Sequence, residues 1–120
     1  MEKVLIVEDD KVLSLLLIKM VEKLNMKVIG TATEGRRAVE LAKLHNPDLI
    51  LMDVMLEDDM DGIEAMATLQ NESYDIPVIF ITGNSDSYNR ERAQKINYID
   101  YLVKPISLSI LRDSVTKVAQ

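Results

Sequence analysis

Five short apolar runs recur along the chain, and between them apolar residues fall at helical spacing. Val4-Leu5-Ile6-Val7 is continuous and rich in β-branched residues, the pattern of a strand buried on both faces. A helix is predicted from about Lys11 to Leu24. Val12, Leu16 and Met20 fall on one line of it and Leu17, Val21 and Leu24 on the next, which predicts a broad buried face. Leu13, Leu15 and Ile18 are left partly outside, at the edge of the core or, alternatively, as a docking surface for a partner. Lys27-Val28-Ile29 is a weaker second strand that ends by Gly30. Thr33 is the expected cap of the next helix, with Glu34 in its first turn. That helix carries Ala38, Val39, Leu41, Ala42 and Leu44 and ends near His45-Asn46-Pro47.

The third run, Asp48 to Met52, ends at Asp53. A polar loop follows, Glu57-Asp58-Asp59-Met60-Asp61-Gly62, in which Asp61 caps a third helix with Ile63, Met66, Ala67 and Leu69 on its apolar face. Pro77 to Ile81 is the fourth strand, with proline at its first residue where a lost donor is tolerated. Thr82-Gly83 ends it. Ser85 to Lys95 is polar, with only Tyr88, Ala93 and Ile96 able to face a core, so a helix there is marginal. Tyr98 to Val103 is the fifth strand, closed by Lys104-Pro105. Ser107 or Ser109 caps a last helix carrying Leu108, Leu111, Val115 and Val118. Strict alternation of strand and helix predicts an α/β fold, a parallel sheet with helices on both faces, within one domain over residues 1–120.

Composition narrows the chemistry. The chain has no cysteine, which excludes disulfides, thiolate metal sites and thiol catalysis. Its one histidine, His45, cannot build a histidine-rich metal site. The net charge of -6 disfavours direct nucleic-acid binding. No apolar stretch approaches a membrane span and no signal-peptide pattern opens the chain, so a cytoplasmic location away from the membrane is the expectation. The methionines read as core filler.

In a right-handed βαβ chain the carboxyl ends of all strands share one edge, and open α/β sheets bind ligands there. Glu8-Asp9, Asp53, Thr82 and Lys104 close successive apolar runs and converge on that edge. Glu8, Asp9 and Asp53 would repel one another unless a cation intervenes, and with no histidine or thiol at hand the fitting cation is Mg²⁺. Asp10 reads as the cap of the first helix; Asp9 could cap too, but is read here as a metal ligand. Thr82 could donate its hydroxyl proton, and Lys104 its ammonium charge, to phosphoryl oxygens. Gly83 would leave room for the group to enter. On this reading Asp53 is the nucleophile that accepts a phosphoryl group.

With these segments in place, the chain resembles the receiver domain of two-component response regulators. The resemblance is carried by Val4 to Asp10, Asp48 to Asp53, Met60-Asp61-Gly62-Ile63-Glu64, Pro77 to Gly83 and Asp100 to Pro105. It implies a flavodoxin-like sheet in the order 2-1-3-4-5 and phosphoryl transfer to Asp53 from a sensor histidine kinase or a histidine phosphotransfer protein. It further implies that Asp9, Asp53 and the backbone carbonyl of Met55 bind Mg²⁺, that Glu8 acts mainly through water, and that Thr82 and Lys104 hold the phosphoryl oxygens. Tyr101 is the implied switch aromatic, turning inward as Thr82 moves, and the Lys104-Pro105 bond is implied to be cis. Partners implied are the kinase, a downstream effector domain or protein, and a phosphorylation-linked second copy. The protein would promote its own phosphorylation and hydrolysis without being a conventional enzyme.

The loop from Met55 to Met60 departs from the family pattern, being longer, acidic and free of proline. Met55 and Asn84 occupy positions that influence phosphoryl lifetime in the family. An aspartyl phosphatase would carry a second Asp two residues after the nucleophile, where this chain has Met55. A flavin module would carry a Gly/Ser/Thr-rich loop after the first strand, where three acids stand, and no P-loop motif is present. A receiver-like scaffold that binds partners without phosphorylation is the remaining alternative.

Overall fold

The computed structural model describes residues 2–83 and 87–118. Its elements are β1 (Lys3–Val7), α1 (Lys11–Lys23), β2 (Lys27–Ala32), α2 (Gly35–His45), β3 (Leu49–Met52), α3 (Gly62–Asn71), β4 (Val78–Thr82), α4 (Ser87–Ala93), β5 (Asp100–Val103) and α5 (Leu108–Thr116). The five strands form one parallel sheet in the order β2-β1-β3-β4-β5.

Alternation along the strands divides the interior into two layers. Leu5, Val7, Ile50, Met52, Val78 and Phe80 face a layer closed by Ala38, Ala42, Ile63, Met66, Leu69 and Ala93 of α2, α3 and α4. Val4, Ile6, Leu49, Leu51, Ile79 and Ile81 face the other, closed by Leu17 and Val21 of α1 and Leu111 of α5. With helices on both faces the central strands are wholly buried, which is why β1, β3 and β4 read as unbroken apolar runs.

Several local expectations are corrected. On α1 the line Val12-Leu16 faces solvent, with Val12 78% exposed; Leu17 and Val21 are buried, and Leu13, Ile18, Met20 and Leu24 pack beside them. The helix is apolar on nearly every side, so periodicity alone selects no face. Of the edge residues, Leu15 is exposed while Leu13 and Ile18 join the core. β2 runs through Gly30 to Ala32, accommodating the glycine with a register shift: Val4 pairs with Val28 but Leu5 with Gly30. On α2, Leu44 is exposed. β5 begins at Asp100, not at Tyr98. α4 buries Ala93, and Ile96 beyond it, but exposes Tyr88; the expected start of this helix at Ser85, and Asn84 before it, lie outside the described residues. Asp10 caps α1 by accepting from the amides of Val12 (2.9 Å) and Leu13 (3.2 Å). Asp61 caps α3 in a reciprocal box with Glu64, and Ser107 caps α5.

Thr33 does not cap α2. Glu34 stands at the cap position and makes no side-chain bond to the helix. The carboxylate of Asp58, from the loop after β3, instead accepts from the amides of Gly35 (2.7 Å) and Arg36 (3.1 Å).

Candidate functional site

The carboxyl ends of β1, β3, β4 and β5 meet as the topology requires. The Asp53 amide donates to the Val7 carbonyl (2.9 Å), which draws the start of the β3–α3 loop against the end of β1. The Glu8 amide does the same toward Ala32 of β2 (2.9 Å). Glu8, Asp53 and Thr82 are buried. One oxygen from each of Glu8, Asp9 and Asp53 lies within 4.8 Å of the others. The Lys104 ammonium reaches over from the end of β5 and pairs with Glu8 Oε1 and Asp53 Oδ2, each at 2.9 Å. The other oxygen of Asp53, Oδ1, accepts from the Met55 amide at 3.3 Å.

The electrostatics follow from this crowding. Burial works against the Lys104 charge, but hydrogen bonds to Glu8 and Asp53 outweigh it and hold the ammonium above its ordinary range. Asp9 lies at the surface, yet its carboxyl is pushed above the usual range, first by partial desolvation, then by the hydrogen bond and the like charge of Glu8. Three carboxylates and one ammonium leave two negative charges uncompensated. A dication balances them. All available donors are oxygens, which suits a hard ion such as Mg²⁺ and not a soft or borderline one. The residues present therefore fit the cation expected from the sequence.

Thr82 ends β4 beside Lys104, whose amide donates to the Thr82 carbonyl (2.8 Å). A Cβ at Gly83 would come no closer than 3.9 Å to Lys104 Cδ, an ordinary contact with the protein around it. The Lys104-Pro105 peptide is cis. Tyr101 is buried, its ring packed against Phe80 at 5.9 Å and Tyr98 at 6.4 Å, with the Arg90 guanidinium 4.7 Å above its face. Met55 is 58% exposed. His45 closes α2, and the acidic cluster is made without it.

Two groups near the site escaped the sequence reading. One is Asp58 with its cap on α2. The other is Arg92 of α4, which grips Asp61 with both terminal guanidinium nitrogens (2.7 and 3.1 Å) and also donates to Asn89 (3.0 Å). Both join segments far apart in sequence. Only the unusual acidity of the loop pointed toward them.

A family model described as the response regulator receiver domain matches residues 4–116. The chain belongs to that family, the receiver domains of two-component systems. Among curated relatives, the transcriptional regulatory protein PdtaR of Mycobacterium tuberculosis is 38% identical over 109 residues, covering 91% of this chain and 52% of its own. The alkaline phosphatase synthesis transcriptional regulatory protein PhoP of Bacillus subtilis is 32% identical over 106 residues, covering 88% of this chain and 43% of its own. The chain thus spans about half the length of these relatives. Among solved structures, the signal receiver domain of a modulated diguanylate cyclase from Desulfovibrio desulfuricans superposes with a TM-score of 0.90 at 35% identity, covering 98% of this chain and 93% of that one. CheY of Borrelia burgdorferi, solved in complex with CheX, BeF3 and Mg²⁺, has the same fold at 24% identity, with a TM-score of 0.91 and coverage of 99% and 90%. Among the described residues no helix is long and apolar enough to cross a membrane.

Proposed function

We propose that this receiver domain is a phosphorylation-activated switch in which Asp53 accepts a phosphoryl group from the phosphohistidine of a sensor kinase or phosphotransfer protein. The observation that carries the reading is the pairing of the buried Asp53 carboxylate with Lys104 beside an acid pair that leaves two negative charges for a dication. A carboxylate oxygen of Asp53 attacks phosphorus, a new P–O bond forms, the P–N bond breaks, and the imidazole leaves with the bonding pair. Such transfers need positioning and charge neutralisation more than covalent help from the protein. Mg²⁺, when bound, neutralises charge on the transferring phosphoryl oxygens; Asp9, Asp53 and the Met55 carbonyl would hold it, with Glu8 acting through water. Lys104 moves from its two carboxylates to a phosphoryl oxygen. Thr82 donates its hydroxyl to another, and Tyr101 follows Thr82, coupling the site to α4 and β5. Hydrolysis of the acyl phosphate resets the domain, so it acts as a switch and not as a turnover enzyme.

The exposed stripe of Val12, Leu15 and Leu16 on α1, together with the exposed Met55 side chain two residues after Asp53, supports docking of a helical kinase or phosphotransfer partner in the cytoplasm. The changed α4–β5–α5 face passes the signal to a downstream effector or to a second copy of the domain. Intact mass after incubation with acetyl phosphate tests the reading. One added phosphoryl group that requires both Mg²⁺ and Asp53 is expected. An adduct that survives in Asp53→Asn would overturn the assignment of the acceptor. Absence of any adduct, joined to absence of Mg²⁺ binding, would leave a scaffold.

A further inference from the structure

The acids that follow Asp53 contribute nothing to the cluster of Glu8, Asp9 and Asp53. They are engaged by the β2–α2 corner instead. The Glu57 amide donates to the Thr33 carbonyl (3.1 Å), and the Thr33 hydroxyl donates to Glu57 Oε2 (3.2 Å). Asp58 caps α2 through Gly35 and Arg36, and Asp59 pairs with the Arg36 guanidinium at 2.9 Å. The contact is as close as backbone allows. A Cβ at Gly35 would lie 2.2 Å from the Met60 carbonyl oxygen and 2.9 Å from Met60 Cγ, so only glycine at the start of α2 lets the loop seat there.

Met55 sits between Asp53 and these anchors. Its side chain is in solvent, and the bond from its amide to Asp53 is long at 3.3 Å. Packing therefore does not fix its peptide. What holds it is the chain on either side: Val54 before it, buried and accepting from the Gly62 amide (2.8 Å), and Glu57 and Asp58 two and three residues after it, fastened to Thr33 and to the start of α2. Three residues span at most about 10 Å, so Asp58 limits how far the Met55 peptide can shift, and its release leaves that segment held by the longer Glu57–Thr33 bonds of 3.1 and 3.2 Å.

We propose that Asp58 is a positioning residue of the phosphorylation site: by capping α2 across 23 residues of sequence it sets the loop, and with it the Met55 carbonyl offered to the cation. The inference rests on the receiver reading above. The long acidic loop is then a device of this chain, in which the missing cap of α2 and a wandering metal-ligand loop each supply the other's restraint.

Calorimetric titration with Mg²⁺, alongside thermal melts in chelator, tests it. Asp58→Ala is expected to weaken Mg²⁺ affinity about tenfold, the scale on which supporting groups act on metal sites. Gly35→Ala, which displaces the loop sterically and leaves every carboxylate in place, is expected to do the same. Asp58→Asn keeps an oxygen acceptor for one amide and should recover part of the affinity. Ser114→Ala on α5, which removes a 2.6 Å bond to Asp100 of β5, serves as the control: it should lower the melting temperature without moving the Mg²⁺ constant. If wild type binds Mg²⁺ while Asp58→Ala and Gly35→Ala bind it equally well, Asp58 is a helix cap and nothing more. If Asp58→Ala does not fold, Gly35→Ala and Asp58→Asn decide by the same criterion. If wild type neither binds Mg²⁺ nor takes a phosphoryl group, the phosphorylation-switch reading falls and this inference falls with it.

Discussion

Lys104 compensates two buried carboxylates at once, so its removal should act through what it leaves behind. Lys104→Ala strands Glu8 and Asp53 without their cation in a buried setting, a loss on the order of 3 kcal/mol. Urea denaturation in chelator should show it, and Mg²⁺ should restore part of it by supplying charge to the same oxygens. Asp53→Asn runs the other way. It deletes one negative charge from a cluster that carries an excess of two, while Glu8 keeps its bond to Lys104 and the Asn oxygen can still accept. Apo stability should rise by on the order of 1 kcal/mol as that repulsion is relieved. A less stable apo Asp53→Asn would mean that the Lys104 pair outweighs the crowding. Residues of this kind were legible in the sequence because each closes an apolar run, and the fold brings run ends to one edge. Asp58 and Arg92 were not, because a cap and an ion pair made across 23 and 31 residues have no local signature.

Helix α4 is fastened more by charge than by packing. It has seven residues, buries Ala93 and Asn89, and is held through Arg92 to Asp61 and through Arg90 to the face of Tyr101. Elements with few apolar anchors open at low free energy. Amide exchange in α4 should therefore be faster than in β1 and β3, and Arg92→Ala should speed it further with little change in the global melting temperature. Exchange as slow as in the central strands would contradict this. Helix α5 is tied down differently. Asp100 accepts from the Ser114 hydroxyl (2.6 Å) and the Lys117 ammonium (2.8 Å). Burial works to raise its pKa, but these bonds and the Tyr101 amide outweigh burial and hold it below the ordinary carboxylate range. A depressed folded pKa gives stability that is present above the unfolded value of 3.8 and lost as pH falls through the folded one. Asp100→Asn should accordingly flatten the acid limb of the stability curve below about pH 4 and leave its shape at neutral pH unchanged. Legibility at this scale tracked how distinct the pattern is: β1 and β3 are unbroken buried runs and α3 has a clear apolar face, whereas α1 is apolar on nearly every side, so that Leu17 and Val21 are buried as expected while Val12 and Leu16, expected inside, face solvent.

For the whole molecule, the alternation of strands and helices was readable from hydrophobic period alone, but the strand order was not. The reversal that puts β1 between β2 and β3 depends on which crossover lies on which face, and periodicity is silent on that; the order came with the family resemblance and is the one the sheet adopts. That order also determines where charge collects. Glu8, Asp9 and Asp53 gather at the junction of β1 and β3, on a chain whose net charge is already -6. Folding without a cation therefore works against repulsion that the extended chain does not feel. A dication that binds only the assembled site should stabilise the fold by mass action, by about 1.4 kcal/mol at tenfold excess over its dissociation constant. Melting curves in chelator and in millimolar Mg²⁺ measure this. Ionic-strength-matched NaCl separates site binding from general screening, which weakens exposed repulsion but reaches a buried cluster poorly. A Mg²⁺ shift that exceeds the NaCl shift and shrinks in Asp53→Asn is expected. Equal shifts for the two salts would mean that the cluster is compensated by Lys104 alone, and that the acids meet for a reason other than holding a metal.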